Sequence, residues 1–167
     1  MIRLLPAALA LSLATAASAQ SPPANLPGAS DYGTVVQSYG ILAPSSSAFA
    51  RARAALDEGD YARARHLFAP LADGSMNPQI HVLTGYADLG AGYARKAQAR
   101  FERALALDVW NAQARQGLGL AFVAQGRRDL ARAELATLET ARDRCAASCR
   151  TAVDYPPAIA SLRRAIG

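Results

Sequence analysis

Proline is almost missing from the middle of this chain. Between Leu71 and Tyr155 the only one is Pro78. No run of β-branched and aromatic residues takes its place, so strands have little to form from. Aromatic residues make up 7% of the 167 residues, too few for an extended stacking platform against nucleic-acid bases. Two histidines, His66 and His81, and two cysteines, Cys145 and Cys149, are all the chain holds of the commonest metal ligands. They form neither H-E-x-x-H nor C-x-x-C, so no metal is expected. No nucleophile elbow, phosphate-cradling glycine loop or outstanding carboxylate pair is present either. Asp57, Glu58 and Asp60 cluster at one corner, where solvation explains them. We therefore expect no catalytic residues, no cofactor and no enzyme.

Alanine fills the gap. It is the best helix former, and it makes the 51% apolar content suited to closely spaced helices rather than to a bulky core. The formal charge is +5. Arginines alternate with alanines (Arg51, Arg53, Arg63, Arg65, Arg95, Arg100, Arg103), with acidic residues interspersed. That is the pattern of a solvated helical face whose long stems cover apolar surface. Without a recognised module, it gives no reason to expect nucleic acid as a partner.

The chain repeats itself. Gly59, Ala64 and Phe68 are followed 33 residues later by Gly92, Ala97 and Phe101, and after another 34 by Gly126, Ala131 and Leu135. A period of this length, with small and bulky residues at fixed offsets, marks a stacked two-helix unit. The alanines fit where paired helices cross. Gly85 and Gly119, with Ala52 as the first copy's equivalent, fit the same close approach from the partner helix. Gly59, Gly92 and Gly126 fit the turn between them.

The third copy reads Arg115-x2-Leu118-Gly119-x2-Phe122, then Ala131-x3-Leu135. The second reads His81-x2-Thr84-Gly85-x2-Asp88, then Ala97-x3-Phe101. The first keeps Gly59, Tyr61, Ala64, Phe68 and Leu71. Residues 45–145 thus resemble a tetratricopeptide repeat protein, whose signature is W-x2-L-G-x2-Y, A-x3-F and a closing proline. The departures are the missing tryptophan and the missing in-phase proline: Pro78 comes two residues late, and Val109 and Asp143 hold the other closing positions. The resemblance implies an all-α fold, a right-handed superhelical stack of three helical hairpins with a C-terminal capping helix.

Residues 1–19 carry one arginine, a short apolar run and Ala17-Ser18-Ala19, which reads as a signal peptide cut after Ala19. The run is too short for a membrane span, and no stable membrane insertion is expected. With an alanine-rich, arginine-over-lysine composition this points to a bacterial periplasm or the exterior. Residues 20–44 are a Pro/Ser/Gly-rich linker. Repeat one covers 45–77, with serines 45 to 47 able to cap its first helix. Repeat two covers 78–111, with Asn77 as cap and Pro78 at the first helical position. Repeat three covers 112–145. In 146–167, Asp154-Tyr155-Pro156-Pro157 starts a last helix with Ala158, Ile159, Leu162 and Ile166 along one face. Such a stack needs a terminal cover. For Cys145 and Cys149 we expect a local disulfide in an exported chain, helped by a helix break after Asp143. Two free thiols are the alternative.

In tetratricopeptide proteins the first helices line a concave groove that commonly receives a peptide or a partner helix. Carried onto this chain, the groove positions are Phe49, Arg53 and Leu56 in the first copy. The second copy gives Gln79, Val82, Tyr86 and Leu89, and the third gives Gln113, Gln116, Leu120 and Val123. The resemblance implies a non-enzymatic scaffold for a peptide or an envelope protein, of the kind serving envelope assembly, secretion or cell division. Self-association through exposed repeat faces and binding to an anionic surface are the alternatives. A monomer is favoured because the cover completes the stack.

Overall fold

The structure, a computed structural model, describes residues 47–145 and 152–167. The expected signal peptide (1–19), the linker (20–44), the serine cap at 45 or 46 and Cys149 lie outside the described residues. The described chain is all-α, with seven helices. They are α1 Ser47–Asp57, α2 Tyr61–Ala72, α3 Pro78–Gly90, α4 Ala94–Leu107, α5 Ala112–Ala124, α6 Arg128–Cys145 and α7 Tyr155–Ile166. Each packs chiefly on the next in the chain. α7 also reaches back to α5, and α3 touches α5. Because the turns linking α1 to α6 are short, successive helices there run antiparallel, which gives a row of hairpins in the manner of a helical solenoid or bundle.

The turns inside the three hairpins are copies of one another. The amides of Asp60, Tyr93 and Arg127 donate to the carbonyls of Ala55, Asp88 and Phe122, at 2.8 to 2.9 Å. One residue earlier, Gly59, Gly92 and Gly126 donate to Leu56, Leu89 and Val123. This is the Schellman closure, which satisfies the orphan carbonyls of a helix end and needs positive φ at its glycine. The three glycines have φ of 76°, 84° and 74°. A side chain there would strain the backbone, so these positions set where each first helix stops.

Helix starts follow their caps. Asn77 accepts from the Gln79 amide at 2.9 Å with Pro78 behind it, Asn111 from Ala114 at 2.9 Å, and Asp60 from Arg63 at 3.0 Å. Each side-chain oxygen pairs one of the four amides that a helix start leaves without partners.

Two kinds of helix alternate. In α4 only Ala97, Phe101 and Ala104 are buried, one stripe of an amphipathic helix. In α3 every residue from Ile80 to Leu89 is buried, and α5 is buried over most of its length. A helix buried on all sides sits inside the stack rather than on its surface. Ala64, Ala97 and Ala131 are fully buried at the expected helix crossings.

One boundary needs correction. The break expected after Asp143 does not occur, and α6 continues to Cys145. The buried stripe Ala131, Leu138, Ala141, Cys145 carries the helix on, and Arg142 and Arg144 in the last turn suit its negative end. Of the expected Cys145–Cys149 bridge only Cys145 lies among the described residues. Cys145 is buried and is not a free thiol.

Candidate functional site

The positions assigned to a groove lie mostly inside the protein. Phe49, Leu56, Val82, Tyr86, Leu89, Gln113, Gln116 and Leu120 are buried; Arg53, Gln79 and Val123 are partly exposed. Tyr86 packs edge-on against Phe101, with ring centres 5.1 Å apart, and its hydroxyl donates to the Gln113 carbonyl at 3.1 Å. Phe49 meets Phe68 edge-on at 6.0 Å. Arg53, expected to offer a charged fork, is spent on Asp57 one turn along α1 at 3.0 Å. These contacts bind first helices to their neighbours. The same residue types that suit a peptide groove, aromatic and aliphatic with amide edges, also suit a helix-to-helix seam. Sequence alone does not separate the two.

The histidines behave differently from each other. His66 is exposed, whereas His81 is buried with Nε2 2.9 Å from the Ser75 carbonyl, where it ties down the loop before α3. Among the described residues no group of three or more His, Cys, Asp or Glu is placed to hold a metal ion. No described helix is long and apolar enough to cross a membrane.

What the surface does present is a row of apolar side chains along one edge. The turns between hairpins all fall at the same end of the antiparallel row. They expose Met76 (70%), Val109 (55%), Trp110 (56%) and, before α7, Val153 (72%). Trp110 is the chain's only tryptophan. Its carbonyl accepts from the Tyr155 hydroxyl at 3.3 Å and its amide donates to Asp108 at 3.1 Å, so the α4–α5 turn is held while the indole is left outward. A small hollow of about 60 Å³ beside it is lined by Val109, Trp110, Tyr155, Arg115 and Arg144, among others.

Neither a protein-family model, a curated protein nor a solved structure matches this chain. The site therefore has to be read from its own chemistry.

The two arginines at this edge differ. Arg115 is already paired with Glu134 at 3.0 Å and also donates to the Val109 carbonyl at 3.1 Å. It thus braces the turn. Arg144 is exposed and has no carboxylate partner among the described residues. Tyr93, the exposed aromatic at the opposite edge, is covered by cations: the guanidinium of Arg65 lies 4.3 Å and the ammonium of Lys96 5.3 Å from its ring centre. Trp110 has no such cover among the described residues. Sequence reasoning passed over Val109 except as a substitute for the closing proline. A usable signal was present, since a tryptophan in a four-residue turn cannot find enough neighbours to bury a ring of that size.

Proposed function

We propose that this chain is a tetratricopeptide-like scaffold of the bacterial envelope, exported by cleavage after Ala19, which docks a protein partner through its Trp110 edge. It does no chemistry of its own. The partner contributes a segment with an apolar side chain to lie against Trp110 and Val109 and a carboxylate to meet Arg144. The observation that carries this is an indole and an adjacent arginine that find neither cover nor a carboxylate among the described residues. Exposed aromatics next to arginine are the residue types that dominate binding energy when buried at an interface. The hairpin period and the three matching turns support the repeat reading. The interior position of most groove residues favours the edge over the face of the first helices as the docking surface.

Crosslinking in the native envelope tests this with Trp110→Ala and Arg144→Ala beside Tyr93→Ala. The first two should lose the crosslinked partner, while the third keeps it. Equal recovery by all three removes the edge from consideration. Sedimentation of the purified chain separates the second reading, self-association through the same edge. A wild-type dimer that becomes a monomer in Trp110→Ala means that the partner is another copy. N-terminal sequencing of the mature chain checks export: it should begin at Gln20.

A further inference from the structure

The second hairpin differs from the third at one interior position, and a cavity lies beside it. Phe122 supplies the carbonyl that closes the third turn; the residue doing the same in the second is Asp88. A phenyl ring in one unit is therefore a short carboxylate in the next. Beside that carboxylate lies a cavity of about 350 Å³ between α2 and α4, above α3. That is within the range of small-molecule sites. Thr84 and Asp88, both buried, form its floor. Arg65, Lys96 and Arg100 stand around it.

The charges do not balance. Asp88 is satisfied by Arg65, Nε to Oδ1 at 2.6 Å. That contact engages only Nε, so both Nη groups of Arg65 keep their donors. Arg100 has only Asp73 at 3.8 Å, a carboxylate that is 79% exposed, so the pairing is long and solvated. Lys96 has no carboxylate partner among the described residues; it lies over the Tyr93 ring, which Arg65 also covers. Three cations thus face one cavity with a single buried carboxylate between them. Lys96 is uncompensated and Arg100 only weakly paired, so the cavity carries a net positive field. The hydroxyl of Thr84 donates to the Ile80 carbonyl at 2.7 Å, which fixes its oxygen in place as part of the floor.

We propose that this cavity binds a small organic anion carrying two negative charges, a phosphate monoester or a dicarboxylate, held by Lys96, Arg100 and the free edge of Arg65. The site is on the opposite flank of α3 from the seam that Tyr86 makes and is independent of the Trp110 edge. Its ligand is a free small molecule, because the space is a pocket closed at its floor and walled by two helices. An extended polymer would need an open groove running on along the stack.

Inorganic phosphate and succinate are the probes, titrated into the purified full chain by calorimetry. The midpoint of thermal unfolding is followed in parallel against sodium chloride at matched ionic strength. Saturable binding of at least one, with a rise in midpoint beyond the chloride control, is expected; whichever binds more tightly assigns phosphate or carboxylate. Lys96→Gln and Arg100→Gln, both at accessible positions, should each weaken binding about tenfold with helix content unchanged. Asp88→Phe puts a ring at the cavity floor and should abolish binding while the chain stays folded. A response no larger than that to chloride overturns the proposal. So does wild-type affinity in Lys96→Gln and Arg100→Gln, or binding that survives in folded Asp88→Phe.

Discussion

Phe101 shows how narrowly single residues set this packing. Its ring lies against glycines from two successive first helices, Gly85 of α3 and Gly117 of α5. A methyl at Gly85 would sit 2.7 Å from the ring, and at Gly117 it would overlap the ring more severely. Replacing a helix-interior glycine with alanine ordinarily gains about 1 kcal/mol. Overpacking a filled core costs about 1 to 3 kcal/mol. Because the ring is fully buried, the second effect should win: Gly117→Ala is expected to lower the unfolding free energy by about 1 to 2 kcal/mol in urea titrations. In a Phe101→Leu background the same change should become neutral or stabilising, and a simple sum of the two losses would refute the contact. The repeat pattern made Gly85 and Gly119 legible as close approaches. It could not name their partners, Phe101 and Leu162, which come from other elements, and Gly117 lies off the pattern altogether. Asp154 is a second residue-scale case. Burial without a side-chain capping bond raises its carboxyl from the ordinary 3.8 to about 6. A carboxyl that holds its proton more tightly when folded favours the fold at low pH. That advantage is lost as pH rises from about 4 to about 6, and above 6 the buried charge is a net cost. Asp154→Asn should therefore raise the melting temperature at pH 7 and leave it nearly unchanged at pH 4. Equal effects at both values would mean that the carboxyl is not what burial disfavours.

At the scale of elements, caps and turns carried the most information. Asn77-Pro78, Asn111 and the three turn glycines fix helix limits through local hydrogen bonds, and such bonds depend on a few neighbouring residues that a sequence displays directly. The end of α6 was less legible. The stripe that prolongs it to Cys145 is buried by the helices packed on α6, which are α5 and α7. α7 itself is the test of the terminal cover. Tyr155, Ala158, Ile159, Leu162 and Ala165 are buried in it, and Leu162 fits over Gly119 of α5, where an added methyl would come within 2.6 Å of its side chain. Leu162→Ala should cost about 2 to 5 kcal/mol. Gly119→Ala in that background should recover part of the loss by placing a methyl in the vacated space. Failure of any recovery would mean that the α5–α7 contact is not a direct fit. The burial of groove positions such as Val82 and Gln116 was least legible of all, because it depends on everything packed around a helix, not on the helix itself.

Across the whole molecule, stability should follow position in the row. Contacts are mostly between neighbours, so each helix is held by what lies beside it rather than by one common centre. α1 packs substantially only on α2, whereas α3 is gripped by α2, α4 and α5, and α5 by α3, α4, α6 and α7. The exposed ion pairs between helices, such as Arg163 with Glu139, add little to this gradient, because solvent screens them. Opening should therefore begin at α1 and reach α3, α4 and α5 last. Hydrogen exchange read by mass spectrometry under native conditions makes the order visible. Amides of α3, α4 and α5 should exchange only through global unfolding, with protection tracking the free energy from urea. Those of α1 should exchange at least about tenfold faster, through local opening that urea at low concentration hardly alters. Leu56→Ala, at the α1–α2 contact, should speed exchange in α1 and α2 while leaving α5 at its own rate minus the global loss. Uniform protection from α1 to α7 would show instead that the chain unfolds as one unit, and the neighbour-by-neighbour account of its stability would fail even though the helices stand in a row.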